Sequence, residues 1–343
     1  MLEIDGAYGE GGGQLLRTAV ALSAVTRRAI RVSNIRARRD KPGLAPQHLA
    51  AVRAVAAICG ARVAGLEPRS RQIEFVPGDL GCGRHRFDVG TAGSVTLVLQ
   101  ALLPVMVASG ATSEVAVAGG TDVRAAPPID YFANVLLALL HRMGVDATLT
   151  VRRRGYYPRG GGEVEIAVAP GKLRPLAVEQ PGALHGLAGL AHVGNLPEHI
   201  AARMRSAALD RLGDVARRRA EIATAVLGPD AAIGRCGAIV AWAHTEHTVL
   251  GAGRVAELGV RAEALCEAVG EALAADLASG ATLDVHAADQ LLVYLALAGG
   301  GAFATRTLTS HAETAMWLIE QFLPVAFRTS AGPALTRVEV LPC

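Results

Sequence analysis

The chain has 343 residues, of which 51 per cent are hydrophobic, enough to bury a sizeable core in one large domain or two smaller ones. Its 34 Lys and Arg against 31 Asp and Glu leave a formal charge of only +3, which argues against a broad polyanion-binding surface and confines any nucleic-acid contact to local patches. Five cysteines with no CxxC spacing argue against a disulfide framework or a structural zinc site.

The start, MLEIDGAYGE, lacks the basic and apolar regions of a secretory signal, and the apolar runs are too short or too punctuated to span a bilayer. A cytoplasmic setting with no membrane role is the expectation. A strand is expected over Leu2 to Ile4, then the glycine loop DGAYGEGGG, then Leu15, Leu16, Ala19, Leu22 and Val25 at helical spacing. Next come a strand over Ile30 to Ile35, the basic loop RARRDKPGL, a helix from about Pro46 to Cys59, and strands near Arg62 to Glu67 and Gln72 to Pro77. The order then resumes with a strand at Arg86 to Val89, the turn GTAGS, an apolar helix from Val95 to Val107 and a strand from Ser113 to Ala118. A helix from Ile129 to Met143 and paired strands at Asp146 to Arg152 and Gly162 to Val168 complete the block. Two successive blocks share the order strand, helix, strand, helix, strand, strand, which predicts internal duplication.

A third copy is expected to be interrupted. Its first strand falls at Leu173 to Val178, and its remainder is a helix from about Asp289 to Leu297, a strand at Phe303 to Thr307, a helix from His311 to Phe322 and two final strands. Between them lies a segment with its own plausible core: a strand around Gly189 to Val193, a helix through Glu198 to Ala220, strands at Gly237 to His244 and Thr248 to Arg254, and a helix at Arg261 to Leu277. The expected organisation is a main domain of residues 1–181 and 281–343 with an inserted α+β domain at 182–280. The alternative is one continuous two-layer domain with a long excursion. The fold class is an α/β (α+β) sandwich.

Glycine is the unusual component: 39 copies exceed the roughly 24 expected at an average usage of about 7 per cent. The loop GEGGGQ follows a strand and opens a helix, a context in which free backbone N–H groups cradle phosphate. It matches neither GxGxxG nor GxxxxGK[ST], so neither nucleotide fingerprint is met. Glu10 inside it makes sense if a divalent cation lies between the carboxylate and a phosphate, and Arg17 follows one turn later. The basic loop gathers Arg36, Arg38, Arg39 and Lys41, whose planar guanidinium forks match phosphate oxygens. RGYYPRGGGEVEI adds Arg154 and Arg159 beside two tyrosines in a hairpin, a candidate surface for RNA phosphates or bases.

In TSHAETAMWLIEQFLP, Ser310 followed by Glu313 reads as a capping box that sets His311 at the first helical position. Positive potential at a helix start disfavours imidazolium, which leaves a neutral ring able to attack an electrophile. Asp289 and Gln290 open the preceding helix, where Asp289 is either a cap or an orienter of the imidazole.

These stretches together resemble the RNA 3'-terminal phosphate cyclase family. The resemblance covers nearly the whole chain through DGAYGEGGGQLLRTAVALS, IRARRDKPGLAPQHLAAVRA, GTAGSVTLVLQALLP, GGTDVRAAPPIDYF, RGYYPRGGGEV, ADQLLVYLALAG and HAETAMWLIEQFLPVAF. It implies three βαβαββ repeats similar to the enolpyruvyl transferase fold, with a small domain inserted in the last. It also implies a cyclisation using ATP and Mg2+ or Mn2+. A histidine at the place of His311 attacks the α-phosphorus of ATP; AMP passes to an RNA 3'-terminal phosphate; and the vicinal 2'-OH closes a 2',3'-cyclic phosphate, releasing AMP.

By the same resemblance Glu10 is a metal or triphosphate acid, and Arg17 with Arg38 or Arg39 contacts phosphate. Gln47 and Gln100 lie near the nucleotide, Asp289 and Gln290 stand beside His311, and Pro128, Asp130, Tyr131 and Tyr294 are candidates to face the adenine. This chain departs from the family's usual HLLTN-like run after the histidine, since HAETAMW brings the carboxylate of Glu313 near the site. Non-catalytic relatives tied to ribosome biogenesis form the leading alternative, and an enolpyruvyl-type transferase a second; the first is disfavoured by His311 with Glu10, Arg17 and Asp289, the second by the Arg154 signature. The sequence leaves monomer and homodimer both open.

Overall fold

The computed structural model describes residues 1–257 and 259–343. The first repeat runs β1 (Leu2–Asp5), α1 (Gly13–Thr26), β2 (Ile30–Ser33), α2 (Pro46–Cys59), β3 (Arg62–Ala64) and β4 (Ile73–Val76). Its sheet has the order β1-β2-β4-β3, with β1 parallel to β2 and both later pairings antiparallel.

The second repeat begins with β5 (Gly83–Asp88), α3 (Val95–Ser109) and β6 (Ser113–Gly119). One continuous helix follows, made of α4 (Ile129–Tyr131), a π-helical turn (Phe132–Leu136) and α5 (Leu137–Arg142), then β7 (Ala147–Gly155) and β8 (Gly162–Val168). β5 is parallel to β6, β6 antiparallel to β8, and β8 antiparallel to β7, so the first repeat's order recurs strand for strand.

The third repeat is split. Its first strand is β9 (Leu176–Ala177), and after a long excursion come α9 (Val285–Leu297), β15 (Gly301–Thr305), α10 (Ser310–Glu320), β16 (Val325–Ala331) and β17 (Thr336–Pro342). Again the first strand is parallel to the second, the second antiparallel to the fourth, and the fourth antiparallel to the third. The fold is thus an α/β assembly of three βαβαββ units. Their shared core comes from the buried faces of α1, α2, α3, α9 and α10 and the inward residues of the sheets, such as Val32, Phe75, Val117 and Phe303. α3 is buried along nearly all its length, as its continuous apolar run requires.

The excursion contains β10 (Leu184–Gly194), α6 (Glu198–Leu209), α7 (Asp214–Arg217), β11 (Ala220–Leu227), β12 (Ala232–Ile233), β13 (Cys236–Thr245), β14 (Val249–Val255) and α8 (Ala262–Ser279). Four of these strands form their own sheet, β11-β10-β13-β14. A separate apolar cluster that includes Met204, Ile239, Leu250, Val269 and Leu273 fills the space between this sheet and α6 and α8. β12 instead joins the edge of the second repeat, Ala232 opposite Arg154 and Ile233 opposite Gly155.

One expected element is corrected. The helix expected through Glu198 to Ala220 stops at Leu209, and Ala220–Leu227 is a strand parallel to β10. Ile222, Thr224 and Val226 recur at every second position, the period of a strand, and Gly213 separates that run from the helix. Among the described residues no helix is long and apolar enough to cross a membrane.

Candidate active-site cleft

A cleft of about 870 Å3 opens where the N-terminal ends of α1, α9 and α10 converge with the loops after β2 and β6 and the end of β14. The glycine loop supplies one wall. Gly9 and Gly11 take left-handed φ of 57° and 64°, a conformation that costs glycine little, and a Cβ at Gly13 would strike the His48 ring. The chain can therefore turn tightly enough to bring Glu10 against α10, where the Glu10 backbone N–H donates to Thr314 Oγ1 at 3.1 Å.

Of the residues expected from sequence, Glu10, Arg17, Arg36, Arg39 and Gln47 line this cleft from the first repeat. Gln100, Pro128 and Tyr131 do so from the second, and Asp289, Gln290 and His311 from the third. Gln100 donates to the Gln290 side-chain oxygen at 2.7 Å, which ties α3 to α9 at the floor.

His311 lies in the first turn of α10, and its Nδ1 is buried without a hydrogen bond, 3.6 Å from Glu10 Oε2. With 42 per cent of the side chain still exposed, the open edge of the ring is the one bearing Nε2. Burial first, then the charges of Arg17 and Arg39, pushes the His311 pKa below its ordinary 6.5, so the ring is neutral at physiological pH.

The expected capping box is corrected. Thr309, not Ser310, caps α10: its Oγ1 accepts from the Ala312 N–H at 3.0 Å and donates to Asp289 Oδ1 at 2.5 Å. His311 is consequently the second helical residue, and Glu313 is exposed to solvent rather than turned into the site. α9 starts earlier than expected and is capped by Asp284, which accepts from the N–H groups of His286 and Ala287, so Asp289 neither caps a helix nor touches the imidazole. Its hydrogen bond goes to Thr309, two residues before His311. Thr309→Val is expected to cost about 1 kcal/mol of stability from the lost cap. It should also slow any reaction of His311 on the order of tenfold to a hundredfold through misplacement, with Thr309→Ser retaining most of the rate in a single-turnover assay.

Burial also lifts the Asp289 carboxyl to about 7, against the lowering effect of the Thr309 hydrogen bond. An acid whose pKa is raised in the folded state stabilises that state below its unfolded value of about 4, and the contribution disappears as pH rises through 7. Asp289→Asn should therefore weaken the fall in stability between pH 5 and 8, read from urea midpoints at both pH values. Asp276, raised by burial to about 6, contributes in the same direction and leaves a residual slope.

Arg17 is the strongest anion signal. It is only 8 per cent exposed and lies one turn into α1; among the described residues it has no carboxylate partner. Burial pulls its pKa down to about 10. A buried guanidinium without a counter-charge is costly unless an anion arrives. Arg39 pairs with Glu10, while Arg36 is braced by the carbonyls of Lys41 and Gly43 at 2.9 Å each. His48, buried beneath them, is driven to about 3 by burial and by Arg17 and Arg36, so it adds no positive charge of its own.

Several expected site residues lie elsewhere. Arg38 donates to Gly9 O at 2.8 Å and clasps the glycine loop from outside the cleft; Lys41 and Arg159 are exposed and away from it. Tyr294 is buried and borders a small adjoining cavity of about 40 Å3, which also touches Arg17 and Asp289. Tyr131 reaches the cleft, but its hydroxyl donates to Asp284 Oδ1 at 2.6 Å.

Arg154 is the largest correction. It is buried, with Nη1 3.1 Å from Asp122 Oδ2 and Nη2 2.8 Å from Asp130 Oδ1, so neither Arg154 nor Asp130 is available to a ligand in the cleft. Burial, the largest single influence, would raise the Asp122 carboxyl, but Arg154 together with His192 and Thr121 outweighs it and holds Asp122 well below the usual range. His192, from β10, completes the cluster through Arg154 Nη1 at 2.9 Å and the Tyr156 hydroxyl at 3.0 Å. The donor atoms of Asp122, Asp130 and His192 lie within 4.8 Å of one another, but the guanidinium occupies the position a cation would need and supplies its charge.

The sequence reading missed His286, Arg124, Arg254 and Glu257, all of which line the cleft. Arg124 and Glu257 form an ion pair of 3.3 Å across its rim. His286 carried a usable signal, three residues before Asp289 and so on one helix face with it; the others depend on where β14 meets the loop after β6.

The fold and this site define an α/β protein with an arginine-lined cleft and a neutral, accessible imidazole at its edge. The family model for RNA 3'-terminal phosphate cyclase matches residues 8–329. A Nitrosospira multiformis protein named RNA 3'-terminal phosphate cyclase is 54 per cent identical, covering 100 per cent of this chain and 97 per cent of its own. Proteins of the same name from Methanopyrus kandleri and Pyrococcus furiosus are 44 and 40 per cent identical, covering 100 and 97 per cent of this chain and 99 and 96 per cent of their own. The chain belongs to the RNA 3'-terminal phosphate cyclase family and is an enzyme of that class.

Proposed function

We propose that the chain uses ATP to convert an RNA 3'-terminal phosphate into a 2',3'-cyclic phosphate through a covalent histidine–AMP intermediate. The observation that carries this reading is the neutral His311 with its Nε2 edge open, in one cleft with the uncompensated Arg17. The Nε2 lone pair attacks the α-phosphorus of ATP; the N–P bond forms as the P–O bond to pyrophosphate breaks. An oxygen of the RNA 3'-phosphate then displaces His311 from AMP. The neighbouring 2'-OH attacks the activated phosphorus, loses its proton, and expels AMP.

Activation is needed because an unmodified phosphate monoester has no good leaving group, and the final closure is intramolecular and gains from proximity. Arg17, Arg36 and Arg39 hold the nucleotide phosphates and the charge that develops on them. Glu10 would hold a divalent cation in place of its Arg39 partner, because Mg2+ commonly takes one or two carboxylates and completes its shell with substrate phosphates and water. Mg2+ or Mn2+ held there would neutralise phosphate charge. Pro128 and Tyr131 border the part of the cleft assigned to adenine, and Gln47, Gln100 and Gln290 the part assigned to polar nucleotide contacts.

The reading places residues 1–181 and 281–343 in a main domain and 182–280 in an inserted one, in a cytoplasmic protein. The test is to incubate the protein with ATP, a divalent ion and an RNA oligonucleotide carrying a 3'-phosphate. The expected result is a phosphatase-resistant end with one AMP and one pyrophosphate released per end; an end that stays phosphatase-sensitive would overturn the reading.

A further inference from the structure

Tyr8 lies in the glycine loop and stacks on Trp317 of α10, with ring centroids 3.7 Å apart and planes 18° from parallel. It is 42 per cent exposed, one of the few large apolar side chains so placed. Neither ring lines the nucleotide cleft, and the loop already has other anchors in the Glu10–Thr314 and Arg38–Gly9 hydrogen bonds. Resting on the cyclase reading, we propose that the Tyr8–Trp317 stack is the platform for the terminal base of the RNA acceptor.

The placement suits that role. Tyr8 is two residues from Glu10, at most about 7.6 Å between Cα atoms, and Glu10 is the residue that faces His311 Nδ1. Trp317 shares a helix with His311. The platform and the nucleophile are therefore fixed to the same two segments. With nucleotide filling the cleft, the acceptor must approach from outside it, past the Glu10 loop, where Arg38 stands beside Gly9. An aromatic face receives any base, because every base has a π-surface. The platform thus predicts grip on the 3'-terminal nucleotide without base identity being read, with purine ends held more tightly than pyrimidine ends.

The test uses the full chain with RNA oligonucleotides ending in a 3'-phosphate and carrying 2-aminopurine at either the last or the third-last position, alongside labelling of His311 by ATP and a divalent ion without RNA. Strong quenching is expected only for 2-aminopurine at the last position. Tyr8→Ala should lose that quenching and raise the RNA KM about tenfold, with the rate of labelling retained; Tyr8→Phe should behave as the unaltered chain. Quenching that survives Tyr8→Ala would overturn the platform. So would a fall in labelling with an unchanged RNA KM, which would make Tyr8 a clamp on the loop. Absence of labelling in the unaltered chain would overturn the histidine–AMP reading instead, while the quenching experiment still decides the platform.

Discussion

His311→Asn should abolish transfer of α-phosphate label from ATP to the chain, with a loss on the order of a millionfold, as when a covalent nucleophile is removed from an otherwise intact site. Asparagine is close in size and polar, so the first turn of α10 is retained: the cap is Thr309 and the helix contacts are made by Ala312, Thr314 and Ala315. The retained label in the unaltered chain should be acid-labile and base-stable, the behaviour of a phosphoramidate. The acid limb of the labelling rate should lie below pH 6.5, because burial and Arg17 push the imidazole pKa below that value. Label that persists in His311→Asn would move the nucleophile elsewhere.

Arg154→Ala is expected to act through stability, not through RNA. Removing the guanidinium strands two buried carboxylates: Asp122 Oδ1 and Asp130 Oδ2 already lack hydrogen bonds, and their other oxygens would lose Arg154 as well. Breaking a buried pair from one side costs about 3–5 kcal/mol, which urea denaturation would register as a lower midpoint at an unchanged slope. Adding Asp130→Asn to Arg154→Ala should recover part of the loss, since one orphaned charge disappears with it. Arg159→Ala, at an exposed position on the same hairpin, should leave stability within about 0.5 kcal/mol. If Arg154→Ala is as stable as the unaltered chain but binds RNA with a flatter salt dependence, the buried-anchor role is wrong.

The difference between Arg154 as expected and as found shows what a single sequence can carry. The three-repeat plan is local: each helix and strand announces itself by periodicity, and the order repeats closely enough to be recognised before any contact is known. The burial of Arg154 depends on Asp122, Asp130 and His192, which are 24 to 38 residues away; three arginines in a row look like a solvated strand when those partners are unseen. Arg152 and Arg153 are indeed exposed.

Thr309 was obscured for a different reason. Two adjacent hydroxyl residues both satisfy the chemistry of a cap, and the choice between them rests on one residue of helix boundary. Once Asp289 occupies the space beside Thr309, the choice is made by tertiary structure. Glu10, Arg17, Arg36 and Arg39 were legible because a glycine loop and a basic loop mark them; His286, Arg124, Arg254 and Glu257 were not, because they are single polar residues whose direction is set by the packing of α9, β14 and the loop after β6.

The split third repeat also has a consequence for the order in which the protein is made. Strand β9 emerges early, but its partner β15 follows more than a hundred residues later, and the two pair over only two residues. The excursion, with a core of its own, can bury it while the ribosome is still adding chain, whereas the core shared by the repeats stays open until α9 and α10 arrive. The closing helices α9 and α10 come last, and they bring Asp289, Thr309 and His311 together. A nascent chain halted anywhere before α10 would hold the cleft's arginines but lack His311, so on the proposed mechanism chemical competence arrives only with the final tenth of synthesis.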